Sequence, residues 1–246
     1  MTAPITVDQV TLHNHDLAID AYLARPTAPG SYPGIIVFQE IFGVNAHIRD
    51  VVDRLAREGY IAIAPALYQR SHPGFEVGYT PDDLALGRQY KDATRAEELT
   101  GDTRAAIAYL QTIDGYNGKL GTIGFCFGGH VAYLMATLPE IQATASFYGA
   151  GIPDFCPGET EPTITRTPHI QGEIYCFFGI AYPLIPAKQN AAVEAALQAA
   201  NISHRVFRYP GVDHGFFCDR RDSYNAEAAK AAWNEVKALF GRLQSP

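Results

Sequence analysis

Cys126 lies in the run Gly124-Phe125-Cys126-Phe127-Gly128-Gly129, between an apolar stretch and a helical one. A G-x-nucleophile-x-G turn needs small neighbours because the nucleophile sits on a tight, strained strand-to-helix bend. There the side chain projects above the sheet, and the free N–H groups of the next helix point toward it. This setting predicts a thiol with a depressed pKa. A second run, Gly211-Val212-Asp213-His214-Gly215-Phe216, follows the last expected strand and offers His214 as general base. A third, Phe38-Gln39-Glu40-Ile41-Phe42-Gly43-Val44-Asn45, follows the first buried strand and brings Glu40 near the nucleophile. Its backbone can supply the second N–H of an oxyanion hole. Each run also has a plain reading: a buried structural cysteine, an ordinary histidine, a solvated loop carboxylate. His13 and His15 lie two residues apart without a third ligand, and no metal-binding spacing stands out.

The elements that must position these residues are legible from periodicity. Residues 7–13 and 17–24 favour an antiparallel pair, with His15-Asp16 at the turn. Gly34-Ile35-Ile36-Val37-Phe38 is a continuous apolar run, as in a parallel strand buried on both faces. Ile48, Val51, Val52, Leu55 and Ala56 then recur at helical spacing, with Gly59 at the stop. Strands are expected at 60–64, 120–125, 143–148, 174–178 and 205–209. Helical stretches are expected at 82–112, 128–138 and 187–200, and the stripe Trp233, Val236, Phe240, Leu243 closes the chain. Residues 151–167 read as an irregular loop. This alternation predicts one α/β domain over residues 1–246, with a mostly parallel central sheet flanked by helices.

Composition excludes several classes. The 246 residues carry 19 Lys and Arg against 26 Asp and Glu, a net of −7, without the basic face that nucleic acid requires. With 47% hydrophobic residues the chain has material for a large core and is not expected to be disordered. Neither a membrane-spanning run nor a secretory leader is evident, so a cytoplasmic enzyme is expected. The four scattered cysteines suggest neither a disulfide framework nor a zinc site. No nucleotide or flavin motif is present, and no cofactor is expected.

Taken together, Gln39-Glu40-Ile41-Phe42-Gly43, Ala62-Ile63-Ala64-Pro65-Ala66-Leu67-Tyr68, Gly124-Phe125-Cys126-Phe127-Gly128-Gly129, Phe147-Tyr148-Gly149 and Asp213-His214-Gly215-Phe216 resemble the dienelactone hydrolase family. The likeness covers nearly the whole chain. It implies an α/β-hydrolase fold and a hydrolase of small-molecule esters or lactones, working as a monomer or homodimer. It further implies a Cys–Asp–His triad with Cys126 as nucleophile, His214 as base and Glu40 as the thiol's resting partner. Backbone N–H groups of Ile41 and Phe127 would form the oxyanion hole. Arg88, and Arg220 or Arg221, are candidates for gripping a substrate carboxylate.

The acid departs from the pattern. Phe178-Gly179-Ile180-Ala181-Tyr182-Pro183 places Tyr182 at the acid position and Ile180 where a polar residue would be ordinary. A phenol is neutral at pH 7 and cannot stabilise imidazolium by charge. In serine triads losing the acid costs on the order of 10⁴ in kcat. A Cys–His pair depends less on it, because a thiol is the more acidic nucleophile. A weakened enzyme is therefore expected, and the apolar or aromatic Ile180 and Tyr182 would shift it toward aromatic or acyl esters over a small charged lactone, the change being natural or engineered. Asp213 and Asp219 are alternative acids, although Asp213 also suits a turn-shaping role. Two other readings stand beside it: a scaffold that binds a hydrophobic ligand without turnover, and a redox-active thiol.

Overall fold

The computed structural model describes residues 3–181 and 187–245. Eight strands make one sheet: β1 (Ile5–Asn14), β2 (Leu17–Pro26), β3 (Tyr32–Phe38), β4 (Ile61–Pro65), β5 (Tyr116–Phe125), β6 (Ile141–Phe147), β7 (Glu173–Gly179) and β8 (His204–Tyr209). Their spatial order is β1-β2-β4-β3-β5-β6-β7-β8. β1 and β2 pair antiparallel, β2 meets β4 antiparallel, and every later pairing is parallel. This is the α/β-hydrolase arrangement, in agreement with the alternation in the sequence.

The long helices are α1 (Ala46–Arg57), α2 (Pro81–Asp92), α3 (Ala96–Leu110), α4 (Phe127–Met135), α5 (Ala187–Ala199) and α6 (Ala226–Gln244). Alternate residues of β3 divide between two cores, as the period-2 geometry of a strand requires. Ile35 and Val37 join Val51, Val52 and Leu55 of α1 and Val236 and Phe240 of α6. Ile36 and Phe38 join Leu99 and Ile107 of α3 and Val131 and Leu134 of α4. A strand covered on both faces explains the unbroken apolar run of 34–38.

Two expectations need correction. The helical stretch 82–112 is two helices, because Thr94 turns back at their junction and gives both its N–H and its hydroxyl to the Lys91 carbonyl. Such side-chain competition for a carbonyl ends a helix. The segment 151–167 is not wholly irregular, since a 3₁₀ helix occupies Thr163–His169.

Candidate active site

Glu40, Cys126 and His214 follow the carboxyl ends of the parallel strands β3, β5 and β8. β5 ends at Phe125, and the chain turns at Cys126 with φ +55° and ψ −115° before α4 begins at Phe127. That backbone region is ordinarily left to glycine, and holding a cysteine there costs about 1–3 kcal/mol. The surrounding structure enforces the corner: Cys126 N–H donates to the Phe147 carbonyl at 3.0 Å, and the Cys126 carbonyl accepts from His130 N–H at 3.2 Å. The turn closes because Gly124 and Gly128 lack side chains. A Cβ on Gly124 would lie 1.9 Å from the Gly128 oxygen, and one on Gly128 would lie 2.2 Å from the Phe38 oxygen. Buried His130 ties α4 to the loops around it, through the Ala150 carbonyl at 2.8 Å and the Thr163 hydroxyl at 2.7 Å.

Cys126 faces a cavity of about 580 Å³ that Ile41, Phe127, Arg88, Lys91, His214 and Arg221 also line. The sequence-derived set Cys126, His214, Ile41, Phe127 and Arg88 is thus gathered on one pocket. The Phe127 N–H, at the start of α4, acts on the Cys126 sulfur in the sense that favours a thiolate. Glu40 is fully buried, and its Oε1 accepts from the Arg221 guanidinium at 2.9 Å. Arg221 in turn lies over the rings of Phe42 and Tyr79, 5.7 and 5.8 Å from their centroids. Of the tandem pair, Arg221 and not Arg220 lines this pocket, beside Arg88. Arg220 is exposed and lines a separate cleft with Asn45 and Glu76.

The electrostatics run against one expectation. The Cys126 thiol is not acidic but is pushed up to about 12, chiefly by burial and then by the nearby Glu40 carboxylate. Arg221, the Phe127 N–H and Lys91 act in the opposite sense and are outweighed. Burial likewise raises the Glu40 carboxyl, with Arg221 opposing it. His214 is pushed down to about 3 by burial and by Arg221. The resting pair at neutral pH is thus a thiol and a neutral imidazole. The helix N-terminus alone does not overcome the loss of water around the sulfur.

A first prediction follows from that state. Alkylation of Cys126 by iodoacetamide should climb about tenfold per pH unit between pH 7 and pH 9, with no plateau. Mass spectrometry of the Cys126 peptide checks it. A plateau below pH 8 would mean that a thiolate is already present.

With the fold and this corner in view, the relatives are informative. Residues 19–244 match the profile of the dienelactone hydrolase family. A Synechocystis protein named "Putative carboxymethylenebutenolidase" is 56% identical over 98% of both chains. The chain belongs to the dienelactone hydrolase family. The carboxymethylenebutenolidase of Pseudomonas putida is 29% identical, covering 96% of this chain and 97% of that one. A crystal structure from Klebsiella pneumoniae titled as a putative dienelactone hydrolase superposes with a TM-score of 0.88 at 30% identity, covering 97% of this chain and 99% of that one. Membership makes this dienelactone hydrolase relative an enzyme of the hydrolase class that cleaves carboxylic ester or lactone bonds. Among the described residues no helix is long and apolar enough to cross a membrane.

Within this dienelactone hydrolase fold, some assignments fall differently from the sequence reading. Tyr182, which the sequence reading places at the acid position, lies outside the described residues. Ile180 is described, and it is exposed at the end of β7, its N–H donating to the Tyr209 carbonyl. The Nδ1 of His214 is buried without a hydrogen-bond partner among the described residues. Asp213 shapes the turn, its carboxylate accepting the His214 N–H at 2.6 Å. Asp219 lies in another cleft, beside His47 and Arg54.

Sequence reasoning passed over Tyr148 as a site residue. It sits at φ +38° just past β6, with its ring 4.9 Å from that of His214 and its buried hydroxyl unpartnered among the described residues. The signal was its place beside Gly149 at a strand end, the same kind of corner that holds Cys126. Lys91 was missed because one lysine on a polar helix carries no pattern.

Proposed function

We propose that this chain hydrolyses lactones or esters that carry an anionic group, rather than the uncharged aromatic or acyl esters expected from the acid loop, with Cys126 as the covalent nucleophile. The observation that carries this reading is the Glu40–Arg221 pair held beside a strained cysteine on a cavity rimmed by Arg88 and Lys91. A substrate carboxylate entering this cavity competes with Glu40 for Arg221. Glu40, losing its counter-ion while remaining buried, becomes a stronger base and takes the Cys126 proton. The sulfur electron pair then adds to the carbonyl carbon, and the C=O pair moves onto oxygen. Ile41 and Phe127 N–H groups receive that oxyanion. Collapse breaks the ester C–O bond and leaves a thioester, and the departing alkoxide or enolate takes a proton from the protonated base. For a lactone the leaving group remains attached to the acyl part. Water activated by His214 then adds to the thioester, and the C–S bond breaks to return the thiol.

The altered acid position adds a second part to the reading. The Nδ1 of His214, without a partner among the described residues, is where an acid would orient the imidazole. With Tyr182 there in sequence, the imidazolium formed during turnover lacks a carboxylate. Deacylation, which relies on His214 more than thiol attack does, is the step expected to suffer.

Rapid mixing with a p-nitrophenyl ester that carries a carboxylate on its acyl group, at high enzyme concentration, tests both parts. One equivalent of p-nitrophenol should be released in a burst, followed by a slow steady phase. Tyr182→Asp should speed the steady phase by about tenfold or more while leaving the burst amplitude at one equivalent. Saturable binding of the ester with no adduct on Cys126 would overturn the covalent mechanism and favour a ligand-binding scaffold.

A further inference from the structure

Three side chains from distant parts of the sequence converge at Glu40. They are Glu40 after β3, His47 in the first turn of α1, and Cys218 four residues beyond His214. One potential ligand atom from each lies within 4.8 Å of the other two. All three residues are buried: Glu40 and Cys218 are 0% exposed and His47 is 2% exposed. Two of their polar atoms, Glu40 Oε2 and His47 Nε2, have no hydrogen-bond partner among the described residues. A buried polar atom left unmatched costs about 1–3 kcal/mol, so such pairs rarely persist without a purpose.

We propose that Glu40, His47 and Cys218 form a binding site for a thiophilic divalent cation of the zinc class. Thiolate, imidazole and carboxylate together are a donor set that zinc favours, whereas magnesium or calcium would require oxygen alone. Around tetrahedral zinc, ligand atoms sit roughly 3.5 Å apart, so these three need to draw in by about 1 Å. The fourth position is left to water. On binding, the Cys218 S–H bond, which points to the Tyr79 hydroxyl at 3.2 Å, breaks. Its proton goes to solvent and the sulfur electron pair goes to the metal.

One of the three ligands, His47, borders a second cleft. This cleft of about 210 Å³, separate from the substrate cavity, reaches His47 between Asp50, Asp219, Tyr224 and Trp233. Its two carboxylates stand against Arg54 and Lys230, and Arg54 packs over the rings of Phe217 and Trp233. The neighbouring cations Arg54, Arg220 and Arg221 disfavour hard, purely electrostatic binding. What remains is affinity from sulfur and nitrogen, which again selects a thiophilic ion. Glu40 is shared with the proposed catalytic centre, so a bound cation would withdraw it from Arg221 and Cys126 and slow turnover. That consequence rests on the function proposed above, but the binding itself does not.

Cobalt(II) is the probe, since a cobalt–thiolate bond gives a near-ultraviolet charge-transfer band. The titration uses the Cys126→Ala protein, so that the nucleophile cannot contribute. One equivalent of cobalt should produce the band and release about one proton, and one equivalent of zinc should abolish it. Cys218→Ser in the same background should remove the band, and His47→Gln should weaken binding about tenfold or more. Circular dichroism establishes that each variant is folded; if Cys218→Ser is not, the His47→Gln titration decides. No band at millimolar cobalt overturns the site. So does a band that survives Cys218→Ser, or one that appears only when Cys126 is present.

Discussion

Cys126→Ala is expected to abolish the p-nitrophenol burst and to lower ester turnover by about 10⁴-fold or more, the loss typical when a covalent nucleophile is removed. The cause is specific to the chemistry. The cavity, the Phe127 N–H, His214 and the Glu40–Arg221 pair would all remain, so substrate should still bind with little change in affinity. Only the atom that forms the acyl bond is gone. Stopped-flow absorbance with wild type and variant at equal concentration makes the comparison, and intact-protein mass spectrometry after quenching looks for the acyl adduct. Full-strength turnover by Cys126→Ala would assign the chemistry to some other group.

Arg221→Met carries the second large effect, on stability and on substrate preference together. The Glu40 side chain is buried and that of Arg221 is 20% exposed, so the substitution removes one partner of a largely desolvated pair. Breaking such a pair costs about 3 kcal/mol, which for a chain of this size lowers the melting temperature by about 6–12 °C. The pH dependence has a definite sign. Burial already raises the Glu40 carboxyl, and removing Arg221 raises it further. A carboxyl whose folded pKa exceeds its unfolded value contributes stability that is full below the unfolded pKa, near 4.3, and is lost as pH rises through the folded pKa. The gap between wild-type and variant melting temperatures should therefore be smallest near pH 4–5 and widen toward pH 8. Taking the difference cancels the buried histidines, which are common to both proteins. On the activity side, wild type should prefer a carboxylated ester over its neutral analogue, and the variant should show no preference. A gap that narrows as pH rises would refute the account of the pair.

Much of this was legible in the amino-acid order because it is local. The glycines around Cys126 permit one kind of turn, and the apolar run at 34–38 permits one kind of strand. From those two features the sheet and its catalytic corner follow. The break between α2 and α3 was not legible, because a threonine hydroxyl turning back on a carbonyl leaves no trace in a hydrophobic pattern. The state of the thiol was misjudged for another reason. A helix N-terminus can be read from sequence, but desolvation is the sum of everything packed around the sulfur, including a carboxylate 86 positions away in the chain. The choice between Arg220 and Arg221 is likewise invisible in a tandem pair, since neighbouring residues leave a loop in different directions. The convergence of Glu40, His47 and Cys218 joins residues across 178 positions and has no spacing to detect.

The left-handed corner at Cys126 sets stability and activity against each other. At most places in a folded chain, glycine is the less stable choice than alanine by roughly 0.5–1 kcal/mol, because its unfolded chain has more freedom to lose. At φ +55° that order should invert, making Cys126→Gly more heat-resistant than Cys126→Ala although both are inert. Selection for thermal endurance alone would thus push this position toward a residue that cannot react. With Cys126 as the proposed nucleophile, the sulfur occupies a position where the backbone would be more comfortable with glycine, so activity there would come at the expense of stability.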